Sequence, residues 1–152
     1  MEELKKGDKA PECNAKDQDG SMVSLKDFAG KKVVLYFYPK DDTPGCTAEA
    51  CDFRDNYQSL KAKGFEIIGV SVDDEKSHKK FEQKYELPFT LIADTEKQIV
   101  EQYGVWGEKN MYGKKYMGIS RKTFVIDETG NIEAVIAKVD TKNASQQLLE
   151  SL

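Results

Sequence analysis

A chain of 152 residues, 39% apolar and 33% charged, has the size of one domain spanning residues 1–152 around a modest core, and it holds no apolar run near the length of a membrane helix. Its net charge of −4 excludes the clustered excess of Lys and Arg that phosphate recognition needs, so neither nucleic acid nor a membrane is an expected partner. The opening "MEELKKGDKAPEC" has no apolar centre for a secretory signal and too many acidic residues for a transit peptide, which predicts a cytoplasmic location. In that compartment thiols stay reduced, and an odd count of three cysteines argues against a disulfide framework.

In chain order, "KKVVLYFYP" from Lys31 is a β-branched and aromatic run ended by Pro39, which predicts a strand buried on both faces. "TAEACDFRDNYQSLKAKG" then places Phe53, Tyr57 and Leu60 at helical spacing, with Gly64 as C-cap. "FEIIGVSV" predicts a second buried strand. "EKSHKKFEQKYEL" predicts a helix with His78, Phe81 and Tyr85 on one face, closed by Pro88, with His78 half covered by packing. "FTLIAD" reads as a third strand and "TEKQIVEQYG" as a short helix. Residues 105–121, "VWGEKNMYGKKYMGISR", read as an irregular segment long enough to be functional. "KTFVID" and "IEAVIAKV" flank "ETGN" as a hairpin, and "NASQQLLESL" reads as a last amphipathic helix. The alternation predicts an α/β fold, a mixed central sheet flanked by helices on both sides.

Cys46 follows "TPG" at the opening of a helix, where free N–H groups and the helix dipole favour an anion. Position alone leaves two readings open, a reactive thiol or a small buried hydrophobe. Cys51 lies five residues on, and on an unbroken helix that spacing separates Cα atoms by roughly 8–9 Å, beyond the ~7 Å reach of a disulfide. Joining the two therefore requires the first helical turns to unwind. A zinc site would have to draw on Cys13, Cys46, Cys51 and His78, which show no paired ligand spacing. A single histidine likewise leaves no evident Cys-His dyad.

"YPKDDTPGCTAEACDFRD" carries Pro39, Thr43 and Cys46 in the P-x-x-x-T-x-x-C pattern of peroxiredoxins, and with Cys51 it resembles the peroxiredoxin Q, or bacterioferritin comigratory protein, subgroup. "GVWGEKNMYGKKYMGISRKTFVID" resembles the subgroup's second signature, with Arg121 completing the site. The resemblance implies a thioredoxin-like fold and an atypical 2-Cys antioxidant peroxidase working without metal, haem or flavin. Cys46 would be the peroxidatic nucleophile that becomes a sulfenic acid, and Cys51 the resolving cysteine that closes an intramolecular disulfide, recycled by thioredoxin. Arg121, always charged, would hold peroxide oxygens, although a surface ion pair is its ordinary role. Thr43 would orient the substrate while also serving as an N-cap, and Pro39 would cover the thiol while ending a strand. Glu49, three residues beyond Cys46, could orient Arg121 or equally be a first-turn charge favoured by the dipole, and it is left outside the core site. Cys13 departs from the subgroup, which usually has a large apolar residue there, and reads as a core substitution, with an alternative resolving thiol as the second reading. The subgroup is often monomeric. A different class of function also fits an oxidisable Cys46: a redox sensor that passes a disulfide to a partner with little turnover.

Overall fold

A computed structural model describes residues 3–152. Its first paired element is an edge hairpin absent from the sequence expectations, β1 (Asn14–Asp17) with β2 (Met22–Ser24), turned by an Asp17 side chain that accepts the N–H groups of Asp19 and Ser21. The buried strands fall where the apolar runs place them: β3 (Lys32–Phe37), β4 (Phe65–Ser71) and β5 (Thr90–Ala93), mutually parallel in the order β3-β4-β5. The closing hairpin pairs β8 (Lys122–Ile126) with β9 (Ile132–Ile136) and adds β8 antiparallel to β3. The sheet order is β2-β1-β5-β4-β3-β8-β9, with β3 in the interior.

Strand alternation divides the core in two, because successive side chains point to opposite faces. Val34, Tyr36 and Tyr38 enter one cluster and Val33, Leu35 and Phe37 the other. Helices α1 (Pro44–Asp55), α2 (Tyr57–Ala62), α3 (Glu75–Tyr85) and α5 (Ala144–Glu150) bury Ala50, Phe53, Leu60, Phe81 and Leu148 in the first cluster. Helix α4 (Gln98–Gln102) and the 3-10 turn Leu25–Phe28 cover the second with Ile99, Val100 and Phe28. Helices therefore flank a mixed sheet on both sides, as expected.

Three expectations change. The helix predicted through Gly64 is broken at Asn56, whose side-chain amide donates to the Asp52 carbonyl at 2.8 Å, although Phe53, Tyr57 and Leu60 are buried as the spacing required. Helix α3 ends on Glu86 in the left-handed region (φ 52°), before Pro88 is reached. The irregular stretch of residues 105–121 is mostly a two-stranded hairpin outside the main sheet, β6 (Trp106–Met111) with β7 (Lys114–Ile119). Tyr112 and Gly113 turn it with φ of 53° and 80°, the positive pair that matches hairpin twist. With Met111, Tyr112, Tyr116 and Met117 all exposed, no buried face imposes a period on this stretch, so none is legible.

Candidate active site

Helix α1 begins where Pro44 occupies a first-turn position that needs no N–H. Thr43 takes the N-cap position in backbone terms, its carbonyl accepting the Thr47 N–H at 2.8 Å. Its side chain makes no capping bond, contrary to expectation; Oγ1 donates instead to the Lys40 carbonyl at 2.8 Å, which ties the turn before the helix. Pro39 stands half-buried just past β3, where Tyr38 still donates its N–H to the Val70 carbonyl at 3.1 Å. Cys46, on the first turn of α1, is 1% exposed and belongs to the core cluster that includes Val34, Ala50 and Phe53.

Arg121 lies immediately before β8, beside β3 and α1, and reaches that thiol. Its Nη2 donates to Cys46 Sγ at 3.3 Å, and its Nη1 donates to Glu49 Oε1 at 2.8 Å. The surface ion pair that position alone would favour for Arg121 is replaced by a half-buried pair with a carboxylate that is 0% exposed. Glu49, left outside the site by its sequence position, is thus within it. One turn after Cys46 on the same helix face, it orients the guanidinium that touches the sulfur. Burial pushes the Glu49 carboxyl up to about 7 against the lowering influence of Arg121, and Glu49 Oε2 has no hydrogen-bond partner among the described residues. Gly45 leaves room for this arrangement, since a Cβ there would sit 3.1 Å from Arg121 Nη2.

Cys51 is half-buried on the same unbroken helix as Cys46, and both thiols are free. Burial raises the Cys51 thiol, with Arg54 opposing the rise. The next residue, Asp52, is tied to the start of α5: its carboxylate accepts the Ser145 N–H at 2.7 Å and its carbonyl accepts Ser145 Oγ at 3.3 Å. Cys13 is a core residue, 2% exposed in the cluster on the opposite face of the sheet from Cys46. Burial pushes its thiol up to about 12.

His78 departs from expectation. It is fully buried and not half covered, with Nδ1 2.7 Å from Asp41 Oδ2 and Nε2 2.8 Å from the Ile92 carbonyl. Asp41 belongs to the turn between Pro39 and Thr43, so a residue read as helix packing is wired to the approach to Cys46. Its partner lies 37 positions away, and no local pattern announces it.

The AhpC/TSA family profile matches residues 6–135. The putative peroxiredoxin bcp of Coxiella burnetii is 56% identical over 133 residues, 88% of each chain. The peroxiredoxin Bcp of Bacillus subtilis is 47% identical over 96% of this chain and 93% of its own. Among solved structures, Xylella fastidiosa PrxQ superposes with a TM-score of 0.91 at 28% identity, covering 99% of this chain and 96% of that one. The bacterioferritin comigratory protein of Xanthomonas campestris, described for alkyl peroxide reduction, gives 0.85 at 36% identity over 91% and 88%. The flanked mixed sheet is the thioredoxin-like fold these structures share.

Proposed function

The chain belongs to the AhpC/TSA family, in its peroxiredoxin Q or bacterioferritin comigratory protein branch, and from that premise we propose that it reduces hydrogen peroxide and small organic hydroperoxides with Cys46 as the nucleophile. Thiol peroxidase activity follows from the family. The observation that carries the assignment of residues is the Arg121 guanidinium shared between Cys46 Sγ, at 3.3 Å, and the buried Glu49. A sulfur 1% exposed is reached only by a small or slender reactant, such as the end of a hydroperoxide. The alkyl peroxide reduction described for the Xanthomonas campestris relative supports the organic substrates.

In the proposed cycle the Cys46 thiolate attacks the terminal peroxide oxygen. An S–O bond forms, the O–O bond breaks, and the electron pair leaves on the distal oxygen, which takes a proton to become water or an alcohol. Arg121 holds the oxygens as charge develops on them, with Thr43 orienting the substrate and Pro39 screening the thiol. Cys51 sulfur then attacks the sulfenic sulfur, forming S–S and releasing water, and a dithiol such as thioredoxin reduces the disulfide by exchange. Steady-state peroxide consumption with thioredoxin and its reductase tests the whole. Many turnovers support the enzyme, whereas a stall after about one equivalent supports a sensor that relays its disulfide.

Two predictions belong to this cycle. Cys51→Ser is expected to keep the first reaction with peroxide and slow thioredoxin-dependent recycling by at least about tenfold. Because α1 is continuous through both cysteines, oxidation of the wild-type chain is also expected to lose hydrogen-exchange protection over residues 46–55. The bonds from Ser145 to Asp52 extend that loss to the first turn of α5. Protection equal to the reduced form would rule the unwinding out. Gly45→Ala tests the site's geometry. Helix propensity favours Ala by up to about 1 kcal/mol, but its Cβ, 3.1 Å from Arg121 Nη2, obliges the guanidinium to give by a few tenths of an ångström. Peroxide reactivity is expected to fall about tenfold with the melting temperature unchanged or raised.

A further inference from the structure

We propose that the buried Asp41–His78 pair is a positioning device for the peroxide site: a carboxylate in the turn before α1 and an imidazolium on α3 that hold residues 40–43 in place, and release them when the ring loses a proton. The inference uses the peroxidase reading only for one of its readouts.

The turn is held mostly from outside itself. Asp41 accepts from Tyr38 Oη, just past β3, at 2.6 Å, and from Ser77 Oγ and His78 Nδ1 on α3 at 2.8 and 2.7 Å. Its own N–H donates to Asp73 Oδ2, beyond the end of β4, at 2.9 Å. Asp42 sits at φ 57°, a left-handed conformation that residues other than glycine adopt only at a cost. There its carboxylate accepts from Lys84 Nζ and Tyr85 Oη, again on α3. The turn that sets Thr43 and the start of α1 therefore takes its shape from α3, and Asp41 is the point where most of the bonds converge.

His78 can make its two bonds only as a cation. Both ring nitrogens face acceptors, the Asp41 carboxylate and the Ile92 carbonyl, and the side chain is 0% exposed. A neutral ring has one N–H: on Nε2 it leaves a lone pair against Asp41, on Nδ1 it leaves one against the Ile92 carbonyl, and in either form the ion pair that binds the turn to α3 is gone. The ionisable groups around the ring are Asp41 from the turn, Tyr38 from just past β3 and Asp73 from beyond the end of β4. Burial alone would lower the ring's affinity for a proton. The bond and charge of Asp41, the Ile92 carbonyl and the charge of Asp73 outweigh it and hold His78 above its ordinary value. With the folded value raised, the clamp is complete below the ordinary histidine range and lost as pH rises through the folded value. Asp41, Asp73 and His78 also bring donor atoms within 4.8 Å of one another, but Asp41 Oδ2 and His78 Nδ1 spend theirs on each other.

His78 is the chain's only histidine, so its ring gives one unambiguous NMR titration. The experiment follows that ring and the backbone amides of residues 40–43 from pH 6 to 10 in the reduced protein, beside the second-order rate constant for hydrogen peroxide by stopped flow. The amides are expected to shift with the His78 midpoint. The rate constant is expected to fall on the alkaline side, by about tenfold to a hundredfold, with the same midpoint. In His78→Asn, whose amide can donate to Asp41 but cannot titrate, that alkaline step is expected to vanish from an already lower rate. A ring that titrates while the amides and the rate stay unchanged overturns the proposal, as does the same alkaline step in a folded His78→Asn protein. Should the variant not fold, the wild-type coincidence decides alone. Should peroxide react at no pH, the peroxidase reading fails, and the amides of residues 40–43 still decide the clamp.

Discussion

Cys46→Ser is expected to give a folded protein that consumes hydrogen peroxide no faster than a protein-free control. The exchange is small in volume at a site 1% exposed among Val34, Ala50 and Phe53, and the serine hydroxyl can still accept from Arg121. Chemistry is what disappears: a serine hydroxyl has no activating base beside it in this site and no stable oxygenated state comparable to sulfenic acid. Arg121 and Glu49 remain in place, so the variant separates binding from reaction. Consumption measured with and without a reducing dithiol, alongside a thermal melt, checks it. Turnover near the wild-type rate would move the nucleophile to Cys51, since the Cys13 thiol is buried on the far side of the sheet and pushed up to about 12.

How far the structure could be read from the residues depended on burial. β3, β4 and the β8–β9 hairpin were legible because each is buried on at least one face, so the sheet dictates their composition. The β6–β7 hairpin and the edge pair β1–β2 are largely exposed; backbone pairing and turn conformation form them, and neither leaves a hydrophobic period. The site divides in the same way. Pro39, Thr43, Cys46 and Arg121 stand out through the resemblance of their two segments to the family's signatures, while position alone leaves Cys46 open and favours a surface ion pair for Arg121. His78 reads as an ordinary helix-face residue and Glu49 as either a first-turn charge or a partner for Arg121, because a buried charge is intelligible only with its partner. Those partners, Arg121 and Asp41, lie 72 and 37 positions away. Local signals of that kind were present only for Glu49, one turn beyond the cysteine.

Arg121→Ala is the variant in which those buried charges become measurable. The peroxide rate constant is expected to fall by about 10²–10³, the effect of removing one preorganised donor from developing negative charge. Glu49 would lose the partner of its Oε1 while Oε2 already has none, so stability should suffer as well, with a definite pH dependence. The Glu49 carboxyl is pushed up to about 7 by burial, with Arg121 restraining it; without Arg121 it rises further. A carboxyl raised in the folded state weakens the fold as pH climbs from the unfolded carboxylate range to the folded value. Between that range and pH 7 both proteins share the penalty. Above about 7 the wild type ionises and its loss levels off, while the variant goes on losing roughly 1.4 kcal/mol per pH unit. Chemical denaturation at pH 6 and 9 should show the gap widening. Adding Glu49→Gln removes the unpaired carboxylate, and the double variant should regain stability at pH 9 without regaining the peroxide rate. Recovery of both would mean that Arg121 serves the reaction only by compensating the charge of Glu49.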